Sequence, residues 1–141
     1  MKTRFIITSK ERKYAEGIFD ILSDNNEILF TSRMYSGAKL TKENNKGYMP
    51  EGEYQIVSIR LTQEAAFTRD GYGWIAGLVP KFQTERYDLA LHPDGGFPGS
   101  AGCGVNDWTL NESVKAHNLL EEGLQRGSVP FTCLYIPNQQ H

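Results

Sequence analysis

The sequence predicts a mainly β domain, a sandwich of about seven strands with one helix in its C-terminal part. Three observations carry this. Apolar and β-branched residues alternate or cluster in short runs over residues 4–35, 53–61 and 73–79. Turn-forming clusters separate those runs, and a single stretch, 114–124, has helical spacing of its apolar residues. With 141 residues the chain forms one domain, 1–141, long enough to bury a core without metal or disulfide staples.

Taken in order, Phe5-Ile-Ile-Thr8 opens the β pattern. Runs 14–22 and 27–35 follow, and Ser23-Asp-Asn-Asn26 between them is a strong turn signal, so they form a hairpin. Residues 41–47 are polar and turn-rich, a loop without visible chemistry. Pro50 and Gly52 set the start of a strand over 53–61 that offers Tyr54, Ile56, Val57, Ile59 and Leu61 to a core. Residues 65–67 suit either a helical turn or a sheet excursion, and Asp70-Gly71 reads as a turn ahead of a strand over 73–79. Tyr72 and Trp74 suit a groove for a sugar or peptide, although core packing is the commoner fate of such rings. Asn111-Glu-Ser113 supplies start signals for a helix with Val114, Ala116, His117, Leu119, Leu120 and Leu124 on one side and Gly127 just past its end. His117 reads as a packing or surface residue and not as a second base. A strand over 131–136 packs beside that helix, and residues 138–141 read as a frayed polar tail.

One stretch looks built for chemistry. An apolar run, 87–91, delivers His92 where strand gives way to loop, and Pro93, Gly95, Gly96, Pro98 and Gly99 then force tight turns before Ser100. Cys103 arrives eleven residues after His92, flanked by Gly102 and Gly104. A thiol at its ordinary pKa, about 8.5, is mostly protonated at neutral pH and needs a base to become a nucleophile. His92 is the candidate base, and the Ser100 hydroxyl or a neighbouring backbone carbonyl is the candidate for holding its other ring nitrogen. Amides at Gly102 and Gly104 can approach a bound carbonyl closely, as an oxyanion site requires. The same composition also suits a structural turn with a small buried cysteine, and spacing alone leaves both readings open.

The string Ser100-Ala-Gly102-Cys103 resembles the Ser/Thr-x-Gly-Cys motif of the L,D-transpeptidase catalytic domain, with His92 matching that family's upstream histidine. Tyr48-Met-Pro50-Glu-Gly52-Glu-Tyr54-Gln-Ile56 is similar to the family's Pro-x-Gly-x-Tyr-x-Ile signature, and the resemblance runs over about residues 14–136. The His-to-Cys interval is short, as in phage-encoded and secreted-effector relatives, and Val105, followed by Asn106, stands where many members carry arginine. The resemblance implies a β-sandwich with the cysteine loop in a cleft on its face. It implies acyl transfer on peptidoglycan stem peptides through a Cys103 thioester, with His92 and Ser100 in the catalytic group and Gly102 and Gly104 at the oxyanion; Asp94, Tyr72, Trp74 and Asn106 are the candidate substrate contacts. The replaced arginine and compact loop point to hydrolysis or amino-acid exchange rather than cross-link synthesis. A non-catalytic wall-binding or virion structural module with the same fold is the alternative.

Other classes are disfavoured. A net charge of −2 gives no basic footprint for nucleic acid, and no apolar run approaches the roughly 20 residues of a membrane span. Cys133 lies in an apolar run and reads as a buried structural thiol rather than a disulfide partner. His92, Cys103 and Cys133 lack the close-set ligand pairs of a zinc site, so no metal or cofactor is expected. The apolar stretch near the N-terminus, Phe5-Ile-Ile, is too short for a signal peptide. Action in the periplasm or cell wall therefore implies delivery by a phage, by a dedicated secretion system, or with a leader since trimmed. An immunity protein is the expected partner if the chain is a secreted toxin.

Overall fold

A computed structural model of the chain describes residues 1–37, 47–86, 88–96 and 103–137. The strands are β1 (Lys2–Glu11), β2 (Tyr14–Leu22), β3 (Ile28–Gly37), β4 (Gly52–Leu61), β5 (Thr68–Arg69), β6 (Tyr72–Pro80), β7 (Ala90–Pro93), β8 (Gly104–Asn106) and β9 (Val129–Tyr135). One helix, α1 (Leu110–Leu124), precedes β9. The mainly β class holds, but the arrangement is not a sandwich of about seven strands. Eight strands pair in the order β4-β9-β1-β2-β3-β8-β7-β6, and β6 pairs back onto β4, closing a barrel. The strand missing from the sequence reading is β8, three residues inside the glycine-rich stretch, and it joins β3 to β7. Closure leaves none of these eight strands as a free edge.

Alternation along the strands fills the barrel. Phe5 and Ile7 on β1, Phe19 and Ile21 on β2, Met34 on β3, Tyr54 and Ile56 on β4, Trp74 and Ala76 on β6, and Phe131 and Cys133 on β9 are all buried in one core. Each fully buried large side chain contributes about 1.5–3 kcal/mol relative to exposure. The expected hairpin forms between β2 and β3. Its turn is held by the Ser23 Oγ, which accepts from the amides of Asn25 at 3.2 Å and Glu27 at 3.1 Å, with Asn26 in the left-handed region at φ 66°.

Helix α1 packs against β4, β6 and β9. It starts one residue after Thr109, earlier than Asn111-Glu-Ser113 suggests, because Thr109 and Glu112 form a reciprocal capping box. The Thr109 hydroxyl accepts from the Glu112 amide at 3.2 Å and the Glu112 carboxylate accepts from the Thr109 amide at 3.0 Å. His117 lies on the buried face, its ring edge-on to Tyr72 with centroids 5.8 Å apart. Ser113 accepts the Trp74 indole N–H at 2.9 Å, tying the helix to β6. Among the described residues no helix is long and apolar enough to cross a membrane.

The Pro50-to-Ile56 signature has a conformational explanation. Gly52 sits at φ 147°, and a Cβ there would lie 2.5 Å from the Phe82 ring, while the Tyr54 hydroxyl donates back to the Pro50 carbonyl. A turn of strand start, aromatic packing and a local hydrogen bond thus fixes how β4 leaves the preceding chain.

Candidate functional site

Strand β7 carries His92, and its parallel neighbour β8 begins at Gly104, one residue after Cys103. Their register sets Leu91 against Gly104, His92 against Val105 and Pro93 against Asn106. Leu91 faces the core, and a Cβ on Gly104 would meet the ends of Leu91 at 2.6 Å and Met34 at 2.8 Å, so this pair faces inward. His92 and Val105 therefore face outward, and Cys103 directly precedes β8.

Local contacts define the state of His92. Its Nδ1 lies 2.8 Å from the Pro93 carbonyl oxygen. A carbonyl only accepts, so Nδ1 carries the proton and Nε2 presents the lone pair, the tautomer a general base needs. The acceptor is thus the carbonyl next in sequence. The Phe67 ring covers the imidazole, with centroids 4.5 Å apart at 57°. The segment holding Phe67 is a short 3-10 turn (Ala65–Phe67) followed by β5, which folds back on β6 through Asp70 and Gly71, both at positive φ. That Asp-Gly turn was legible in the sequence; its consequence for His92 was not. Gly95 is locked beneath this flap, since a Cβ there would lie 1.8 Å from the Ala65 carbonyl oxygen.

His92 is 7 % exposed, and burial pushes its pKa below the ordinary histidine value, partly offset by the Pro93 hydrogen bond and the Asp94 charge. Burial likewise pushes the Cys103 thiol up, against the Ala90 amide and the positive charge of Arg86. The depressed thiol pKa expected of a resting thiolate is therefore reversed: desolvation outweighs the favourable partners. The neighbours of the two groups differ: Ala90, Arg86 and Asp88 act on Cys103, and Pro93, Asp94 and Phe67 on His92. Arg86 had no recognisable sequence signal; its guanidinium also donates to the carbonyl of Gly47 at 2.8 Å.

The other candidates separate. Ser100 and Gly102 lie outside the described residues, as do most of the loop at 41–47 and the tail at 138–141. Gly104 is inside the sheet, paired with Ser36 and Leu91, and its missing side chain makes room for the core. Trp74 is not a groove residue: it is fully buried, with its N–H spent on Ser113. Asn106, also buried, uses its Oδ1 to accept from the Trp108 amide at 3.4 Å and presents no surface to a substrate. Tyr72 stands against His117 of α1. Asp94 is half-buried, and both its carboxylate oxygens are engaged by the protein, Oδ1 by the Gly96 amide at 2.8 Å and Oδ2 by the Tyr35 hydroxyl. Tyr35, unmarked by sequence reasoning, is thus part of the site's frame. Neither cysteine is a disulfide partner, and Cys133 is buried on β9. Among the described residues no group of three or more His, Cys, Asp or Glu is placed to hold a metal ion.

The two thiols should differ in reactivity. Burial pushes Cys133 up to about 12 with no exposed surface, whereas Cys103 is partly exposed. Iodoacetamide labelling followed by peptide mass spectrometry should show Cys103 modified on the order of tenfold faster or more, with a rate that rises with pH because only the thiolate reacts. Equal, slow labelling of both would show that the Cys103 thiol is not accessible to reaction.

No protein-family model matches the chain, and no curated protein matches it either.

Proposed function

We propose that the chain is a cysteine-dependent acyl-transfer enzyme of the L,D-transpeptidase type, acting on peptidoglycan stem peptides. The observation that supports this is the parallel pairing of β7 with β8, which brings His92 onto the strand next to the one that Cys103 directly precedes. The Nδ1 contact to Pro93 supports the same reading, because it leaves Nε2 as the acceptor.

In this reading a substrate amide carbonyl docks over Cys103, and Nε2 of His92 takes the thiol proton as sulfur attacks the carbon. The tetrahedral oxyanion is held by backbone amides around Cys103. Imidazolium then returns the proton to the departing amine, leaving a thioester on Cys103. Water resolves it to an L,D-carboxypeptidase or endopeptidase product, and an incoming amine resolves it to exchange or cross-linking. Val105, buried beside His92, offers no charge to a substrate carboxylate, which favours hydrolysis or exchange. Such a substrate places the activity in the periplasm or cell wall, with an immunity protein as partner if the chain is a delivered toxin.

A second reading, a non-catalytic wall-binding or virion module, is favoured by one feature: burial holds both groups neutral and puts the Phe67 ring on His92. Incubating the full chain with purified muropeptides of defined stem length separates the two. Acyl transfer predicts product masses that lack a stem residue or carry an exchanged amino acid, together with a thioester adduct on Cys103. Unaltered muropeptides at several pH values, with binding retained, would establish the module instead.

A further inference from the structure

Asp94 stands at a junction that the proposed chemistry does not use directly. Its backbone amide donates to the Asn106 carbonyl at 2.7 Å, continuing the β7–β8 pairing one residue past Pro93. Its Oδ1 accepts from the Gly96 amide at 2.8 Å, which turns the chain just past β7. Its Oδ2 accepts from the Tyr35 hydroxyl, and Tyr35 belongs to β3, fifty-nine residues away in sequence. The register explains how they meet. Tyr35 pairs with Val105 and Val105 with His92, so Tyr35, Val105 and His92 form one cross-strand row on the outer face. The tyrosine reaches past Val105 to the end of β7, where Asp94 follows Pro93.

We propose that Asp94, clamped by Tyr35, is the positioning residue of the His92–Cys103 pair: it fixes the chain that carries the Pro93 acceptor and sets a carboxylate beside the imidazole. This rests on the acyl-transfer reading for its functional meaning, but the contacts stand without it. The clamp anchors the residue immediately following the Pro93 carbonyl, so Nδ1 keeps its acceptor and Nε2 its direction. The carboxylate favours the imidazolium that forms when His92 takes the thiol proton.

Among the described residues, these groups act on His92: the Pro93 carbonyl and the Asp94 carboxylate at its own strand end, the latter bonded by Tyr35 of β3, and the uncharged Phe67 ring from the turn at Ala65–Phe67. Burial and the Asp94 carboxylate keep the Tyr35 hydroxyl protonated, so it stays a donor across the working pH range. Arg86 and Asp88 act on Cys103.

The test is an NMR titration of the histidine ring protons in the full chain, with the His92 signals assigned by their loss in His92→Gln. Asp94→Asn should lower the His92 midpoint by at least about half a pH unit, roughly a threefold weaker proton affinity, because a negative charge beside imidazolium is removed. Asp94→Glu should recover most of the shift. Tyr35→Phe should lower the midpoint by a smaller step, since a released carboxylate swings towards solvent. A carboxylate that only shapes the turn would leave the midpoint unmoved in a folded Asp94→Asn chain, and that result overturns the proposal. Should Asp94→Asn fail to fold, an unmoved midpoint in Tyr35→Phe overturns it equally. The titration needs no substrate, so its outcome is separate from the muropeptide assay: expected shifts with no muropeptide product count against acyl transfer alone.

Discussion

Cys103→Ala should abolish the thioester adduct and lower muropeptide turnover by at least about a thousandfold, and His92→Gln should approach the same loss. The two effects should not add. Without sulfur there is no proton for the imidazole to take, and without the imidazole a thiol raised by burial is almost wholly protonated at neutral pH. A double variant should therefore be about as slow as either single one. The pH profile follows from the same two shifts. Turnover needs neutral imidazole and an unlost thiol proton, so it falls on the acid side through the His92 pKa and on the alkaline side through the Cys103 pKa. Burial lowers the first and raises the second, which spreads the limbs apart. The profile should be flat across neutral pH and wider than an unperturbed His–Cys pair gives. A narrow bell centred near the ordinary histidine value would mean that substrate binding rewets the pair or that a different base works. Full activity in Cys103→Ala would end the nucleophile assignment.

What could be read ahead of the structure was local. The β2–β3 hairpin was legible because its two alternating runs and its Ser23-to-Asn26 turn are contiguous. Barrel closure was not, since it depends on β8, whose three residues carry too little pattern to register and whose partners, Tyr35 and Ser36 on one side and Leu91 to Pro93 on the other, are set by distant pairing. The helix was evident from spacing. Its first residue was recoverable too, because Thr109 and Glu112 stand three apart in a capping box. Trp74 carried a usable signal as well: it shares strand parity with Ala76 and Leu78, both buried, so its ring belonged with the core. His92 and Cys103 were conspicuous by chemistry. Tyr35 and Arg86 were not, since a tyrosine in an alternating strand and an arginine in a loop look ordinary until the fold brings them to Asp94 and Cys103.

Trp108→Ala should cost about 3–5 kcal/mol of folding stability, the range for deleting a large buried aromatic side chain. The indole lies 4.9 Å from the Phe30 ring, 5.5 Å from Phe19 and 6.3 Å from Trp74, centroid to centroid, so it joins β2, β3 and β6 in one aromatic group. Its N–H donates to the Arg33 carbonyl on β3, an acceptor the truncation leaves without that donor. A domain of this kind has only about 5–15 kcal/mol in total, so the variant should lose a large share of its margin. Urea unfolding followed by far-UV circular dichroism should show a much lower midpoint at similar slope. Trp108→Phe should lose less, because a six-membered ring refills part of the space, leaving a smaller gap and the missing N–H. The position also bears on the site, for Trp108 lies two residues past β8 and just before the Thr109 cap. Loosening it should let β8 shift against β7 and change the labelling rate of Cys103 while Cys133, deep on β9, stays slow. A loss under about 1 kcal/mol in Trp108→Ala would mean that the barrel repacks around the gap, and that the link between core and candidate site is weaker than these ring contacts imply.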